Sequence, residues 1–231
     1  MPTRPDELGA HVSTAGGIDQ APPRAAEIDA VVIQVFTKQP NRWAEPAVGQ
    51  AAAAFAAARA EHGIRVVASH DSYLINLATP DGALFEKSYA SFRAELQRCV
   101  TLGLEFLVTH PGNATDGDAA RGLVANADAI RRALDEVGGE TVVLLETTAG
   151  SGKVLGARFE ELGEMLERIG PRLRDRVGIC LDTCHVWAAG YDLKDDYHGV
   201  FRELDRHVGL ERLRLFHLND SHGDRGSRRD R

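Results

Sequence analysis

Short apolar, β-branched stretches alternate with longer stretches of helical spacing from one end of this chain to the other. The apolar segments run Leu8 to Val12, Val31 to Thr37, Arg65 to Ser69, Phe106 to Thr109, Thr141 to Leu145, Val177 to Leu181 and Leu213 to Leu218. Their length and composition predict strands. Between them, SYASFRAELQRCVTLG places Tyr89, Phe92, Leu96 and Val100 at helical spacing and ends on Gly103, a C-cap. ARFEELGEMLERIG is a second segment of helical composition. Strand and helix in alternation are the pattern of repeated βα units, hence a parallel sheet or barrel. Seven strands are found and no eighth, whereas a closed (β/α)8 barrel takes about 250 residues. The expected fold is therefore a TIM (β/α)8-type α/β barrel without its last strand–helix unit. No linker-like Pro, Gly or Ser tract divides it, so residues 1–231 are expected to form a single domain.

Composition narrows the function classes. At 231 residues and 43% hydrophobic, the chain is long enough for one sizeable core. A formal net charge of -7 argues against holding polyanions by bulk attraction, since no excess of Lys and Arg is present to displace counterions. A local basic patch or bound metal cations would have to meet a phosphate. The three cysteines, Cys99, Cys180 and Cys184, with no secretory segment at MPTRPDELGA, fit a reducing cytoplasm better than a disulfide framework. AAAAFAAARA from Ala51 reads as an alanine-rich surface helix, because a membrane span needs about 20 continuous apolar residues.

The residues at the ends of the strand segments point to chemistry. SHD gives His70, THP gives His110, LET gives Glu146, LDTCH gives Asp182 and His185, and FHLND gives His217. In a parallel barrel those ends open on one face, so residues far apart in sequence converge there. One such histidine is more often a hydrogen-bonded rim residue than a ligand. Ligand-type residues at five consecutive strand ends point instead to a multi-metal site. Imidazole mixed with carboxylate suits zinc, with manganese and iron fitting less decisively. Cys184 is assigned to packing. His11 could touch phosphate or serve as a structural histidine, while His62, His198, His207 and His222 read as solvated. The loops THPGNA and TTAGSGKVLG could offer backbone N–H groups to phosphates, although neither has P-loop spacing.

The order of these motifs resembles the endonuclease IV family of apurinic/apyrimidinic endonucleases. The resemblance spans essentially the whole chain and rests on LGAHVSTAGG, AAEIDA, VFTKQPNRW, HDSYLINLA, THPGNA, LETTAGSGKVLG, GICLDTCHVWAAGYDL, FHLNDS and GSRRDR. It implies a TIM barrel with three zinc ions at its C-terminal face. Such an enzyme hydrolyses double-stranded DNA on the 5′ side of an abasic site, leaving a 3′-hydroxyl and a 5′-deoxyribose phosphate. On matching positions, His70, His110 and Glu146 would hold one zinc. Glu146, the catalytic metal-bridging carboxylate, would reach a second zinc held also by Asp182 and His217, and His185 with Asp230 would hold the third. The resemblance further implies that Tyr73 and Leu74 enter the duplex at the lesion and that the KQPNRW loop, with Asn41 and Arg42, fills the gap left by the extruded nucleotide. Arg231 would join these DNA contacts. Ile75 and Leu77 read more readily as packing beneath the loop. This loop departs from its relatives, which commonly carry arginine one position before Arg42. The implied protein is a cytoplasmic monomer.

The end, GSRRDR, departs further. In the family the residues matching Asp230 and Arg231 are followed by a histidine of the third zinc site, and later by a glutamate of the second. Neither is present, so the expectation is a truncated chain with those two sites incomplete. Two other function classes stay open on the sequence: a metal-using sugar isomerase or epimerase on the related barrel, and a catalytically weak fragment that binds abasic DNA. HDSYLINLA and the order of ligand residues argue against the sugar enzyme.

Overall fold

In the computed structural model, which describes residues 7–230, all seven predicted strands form. They are β1 (Gly9–His11), β2 (Val32–Val35), β3 (Val66–His70), β4 (Phe106–Thr109), β5 (Val142–Glu146), β6 (Val177–Asp182) and β7 (Leu213–His217). Every neighbouring pair is parallel and the order is sequential, β1 through β7. Helices alternate with them: α1 (Ala21–Ala26), α2 (Ala52–Glu61), α3 (Gly82–Leu102), α4 (Ala119–Val137), α5 (Phe159–Ile169), α6 (Thr183–Ala189) and α7 (Tyr197–His207). This is the α/β TIM-type barrel expected, short of one strand–helix unit. Among the described residues β1 and β7 each pair with one neighbour only.

The strand ends differ from expectation in a way that bears on the site. β2 stops at Val35, not Thr37, because Thr37 turns inward and donates its hydroxyl to Glu95 on α3. Conversely, β3, β5 and β6 run one residue further than expected, onto His70, Glu146 and Asp182, while β7 ends on His217, one residue short of the expected Leu218. These side chains are therefore fixed by ladder hydrogen bonds instead of standing on the loops beyond.

Period-two alternation sorts each strand into two faces. Val108, Leu144 and Cys180 are fully buried inside the barrel, with Phe106, Val142 and Leu215 packed against them. The alternate residues Val67, Leu107, Val143, Leu145, Ile179 and Leu181 form the core that also takes Phe92, Leu96, Ile130, Leu134 and Leu162 from the helices. Glu146 lies two residues after Leu144, and Asp182 two after Cys180, so the inner apolar layer continues upward into the polar one. The register that pairs Glu146 with Cys180 and Asp182 with His217 fixes that layer. A slip of one residue would turn the polar groups toward the helices.

Local signals set the helices. Asp81 caps α3 by accepting from Leu84 N at 3.0 Å, and Gly103 ends it at φ 67, a left-handed conformation that costs glycine little. Asp118 caps α4 in the same way through Arg121 N. α2 buries only Phe55, which accords with the alanine-rich surface helix expected. Among the described residues no helix is long and apolar enough to cross a membrane.

Candidate active site

One buried carboxylate organises the C-terminal mouth of the barrel. Glu146, 2% exposed, meets four imidazoles. Its Oε2 lies 3.1 Å from His70 Nε2 and 3.4 Å from His110 Nε2. Its Oε1 lies 3.0 Å from His217 Nδ1 and 3.3 Å from His185 Nδ1. Asp182 Oδ2 stands 4.0 Å from His217 Nδ1, and Asp230 Oδ1 is 3.2 Å from His185 Nε2. All seven residues expected to ligate metal thus converge, from the ends of five consecutive strands, the start of α6 and the C-terminal segment.

The donor set fits divalent metal. His70, His110 and Glu146 bring one ligand atom each within 4.8 Å of one another, as do Glu146, Asp182 and His185, and also Glu146, Cys180 and His217. Hydrogen bonds commit the other ring nitrogens. His70 Nδ1 donates to the Asp71 carbonyl at 2.9 Å, which leaves Nε2 turned to Glu146. His217 Nε2 donates to Gln34 Oε1 at 2.8 Å, leaving Nδ1 on the Glu146 side. His185 Nδ1 donates to the Thr147 carbonyl at 2.8 Å and leaves Nε2 to Asp230. This fixing of tautomer by an outer partner is characteristic of metal-ligating histidines. Cys180 belongs to the set by distance, but burial and the Glu146 and Asp182 carboxylates push its thiol well above its ordinary range. It is a packed neutral thiol, and Cys184 is buried as its packing role requires.

Charge is concentrated here without a metal as well. Burial opposes ionisation of Glu146, yet hydrogen bonds from His110, His185, His217 and His70 outweigh it and hold the carboxyl well below its ordinary range. Burial likewise opposes a charged His70, but Glu146 and Asp71 raise it to about 9. Against burial again, His185 is raised to about 9 by Glu146, Asp182 and Asp230. Buried ligand groups that hold protons until a cation displaces them are how metal binding couples to pH.

The positions expected to face DNA stand as follows. Tyr73 is 58% exposed, its ring 5.6 Å from those of His70 and Phe36. Asn41 and Arg42 are exposed, and Leu74 is half-buried. Ile75 and the fully buried Leu77 pack into the core, as read from the sequence. Arg231 lies outside the described residues. His11 is held by Gln34 at 3.3 Å and stacks obliquely on Phe36. His198 and His222 are exposed, whereas His62 and His207 are half-buried, His207 lying 3.5 Å from Glu160, so these two are solvated only in part.

Sequence reasoning missed the partners that orient the candidate ligands. Gln34 breaks the apolar run VIQV at an inward position, and that was its signal. Thr147 Oγ1 accepts from Asp182 N, and Asn219 Nδ2 donates to Asp182 Oδ2 at 2.6 Å. Both stand inside the motifs LETTAG and HLNDS and were visible there only as loop polarity.

The sequence profile of the xylose isomerase-like TIM barrel family matches residues 22–231. A protein of Chloroflexus aggregans named Probable endonuclease 4 is 50% identical over 228 residues, covering 97% of this chain and 79% of its own. The crystal structure of endonuclease IV from Thermus thermophilus superposes with a TM-score of 0.84 at 39% identity, covering 97% of this chain and 81% of that one. A D-psicose 3-epimerase structure, at 16% identity and a TM-score of 0.65, shares 90% of this chain and 72% of its own as fold alone.

Proposed function

Since this chain belongs to the endonuclease 4 family of xylose isomerase-like TIM barrels, and is with it a DNA-cleaving repair hydrolase, we propose that it is zinc-dependent and cuts the phosphodiester bond 5′ to an abasic site. The products are a 3′-hydroxyl and a 5′-deoxyribose phosphate. The observation that carries the reading is the position of Glu146, within 3.4 Å of four imidazoles from four separate segments.

In this reading His70, through Nε2, and His110 hold one zinc with Glu146. Glu146, Asp182 and His217 hold a second, and His185 Nε2 with Asp230 a third. Zinc supplies Lewis acidity toward the phosphoryl oxygens and acidifies water enough for attack at neutral pH. The chain's own contribution is geometric: Glu146 spans two ligand groups, Gln34 and the carbonyls of Asp71 and Thr147 orient the imidazoles, and Asn219 holds Asp182. The cluster of cations answers the net charge of -7, because phosphate is met locally.

Tyr73 and Leu74 wedge into the duplex at the lesion, Asn41 and Arg42 occupy the space of the displaced nucleotide, and Arg231 is a further DNA contact. Unstacking costs a few kcal/mol per step, and a site without its base has already lost part of that stacking, which favours damaged over intact DNA. The working unit in this reading is a monomer.

Incision of a duplex carrying one abasic analogue, with and without added zinc after chelation, tests the reading. Zinc-restored cutting on the 5′ side supports it. Cutting of intact duplex at the same rate, or restoration by magnesium alone, overturns it.

A further inference from the structure

Two loops proposed above to face DNA, after β2 and after β3, are joined beneath their surface by a buried charged network anchored on α3. Ser91, Glu95 and Arg98 recur at helical spacing on one buried face of α3. Glu95, with no exposed surface, accepts from both loops at once: Oε2 takes the Thr37 hydroxyl at 3.2 Å and Oε1 takes the Ser72 backbone N–H at 3.1 Å. Lys38 lies 3.7 Å from the same Oε1 and donates to Ser91 Oγ at 2.8 Å and Glu45 at 2.7 Å. Arg98 donates to Thr37 Oγ1 at 3.1 Å and to Glu45 at 2.6 Å. The loops also touch directly, where the Ser72 hydroxyl donates to the Pro40 carbonyl at 2.6 Å. The Ser72 hydroxyl oxygen also accepts from Leu74 N at 3.3 Å. Two acids and two bases are thus gathered as a neutral, hydrogen-bonded set. Such a set holds geometry more effectively than it adds stability.

The placement matters because Pro40 immediately precedes Asn41 and Arg42, and Ser72 immediately precedes Tyr73 and Leu74. We propose that Ser72 and Glu95 are positioning residues that lock the two loops into one rigid surface, so that an abasic duplex meets a preformed shape. The inference rests on the DNA-facing role given to these loops above. Neither residue approaches the reacting phosphate in this scheme. Their contribution falls on substrate recognition, since preorganised loops do not lose ordering entropy on binding.

The test uses the zinc-loaded full chain with Ser72→Ala, which removes the Pro40 latch and the Leu74 contact. Its readouts are KM and kcat on a duplex with one tetrahydrofuran abasic analogue, and amide hydrogen exchange over residues 37–43 and 72–75. The expected result is a KM raised about 5- to 10-fold with kcat within about twofold, the size of one lost hydrogen bond. Exchange should quicken in both loops together, and Ser72→Thr should restore both readouts. A KM that does not rise, or exchange that quickens only within 72–75, overturns the coupling. Glu95→Gln, measured well below its own melting temperature, supplies the second variant and should loosen both loops further. Tyr73→Ala separates the two readings: if it leaves KM unchanged, the DNA-facing role fails, while the exchange data still decide whether the loops are coupled.

Discussion

Asp182 Oδ1 accepts the backbone N–H of His185 at 2.9 Å, so a carboxylate that faces the metal-binding cluster also caps the helix that carries the next histidine. The two duties can be separated by substitution. Asp182→Asn keeps an oxygen for the cap and loses the anionic ligand, whereas Asp182→Ala loses both. Incision should fall at least about 100-fold in each, a transition-state loss of several kcal/mol. Only the alanine variant should lose a further ~1 kcal/mol of stability from the missing cap. Denaturant melts of the two metal-free variants side by side check this, and equal stabilities would count against the capping role.

Glu146 is the group on which the proposed mechanism depends most. Glu146→Gln preserves shape but removes the charge that four imidazoles share. Incision should drop by about three orders of magnitude or more if Glu146 serves two metal sites as proposed. Zinc retained after dialysis should fall as well. Activity within tenfold of the parent chain would refute the assignment.

Gln34 tests whether the outer partners matter. Its Oε1 fixes the His217 tautomer at 2.8 Å and its amide reaches His11 at 3.3 Å. Gln34→Leu should weaken metal affinity or activity about 10- to 100-fold, the usual effect of losing such a partner. Zinc titration against a competing chelator reads it directly. Unchanged affinity would mean that packing alone orients the imidazole.

The sequence carried the barrel and its ligand face for a physical reason. Strands buried on both sides read as unbroken apolar runs, such as Val142 to Leu145, and a polar residue that ends such a run is conspicuous. Glu146, Asp182 and His217 could be found that way. The motifs around them gave the family. The supporting groups were harder to see, because Gln34, Thr147 and Asn219 act through single hydrogen bonds whose partners lie 35 to 183 residues away. The Lys38–Glu45–Glu95–Arg98 set was invisible for a related reason. Glu95 and Arg98 on α3 meet Lys38 and Glu45 only where the loop after β2 crosses that helix.

The interior of the barrel sets how firmly the site is held. Leu144 is fully buried in the small inner cluster, two residues before Glu146 on the same face of β5. Leu144→Ala should cost about 2 to 5 kcal/mol, transfer and cavity terms together. Thermal unfolding of the zinc-loaded and zinc-free forms checks the value. A cost below about 1 kcal/mol would indicate that the inner layer collapses to fill the space.

The histidine cluster predicts opposite pH responses with and without metal. In the metal-free protein burial disfavours the charged forms of His70 and His185, but Glu146 and its neighbouring carboxylates outweigh it and raise both from 6.5 to about 9. A group with a raised folded value contributes stability that is complete below its unfolded value, near 6.5, and is lost as pH rises through about 9. Asp71 acts in the same direction at lower pH, because burial pushes it from 3.8 to about 7. The metal-free melting temperature should therefore fall steadily between pH 6.5 and 8.5. Zinc requires the same imidazoles in neutral form, so its binding must displace those protons and should tighten over this range. The increase in melting temperature on adding zinc should accordingly be larger at pH 8.5 than at 6.5. Paired melts at the two pH values, at fixed free zinc, measure both slopes. A zinc-induced shift that shrinks with rising pH would mean that His70 and His185 do not give up protons to the metal, and hence are not ligands.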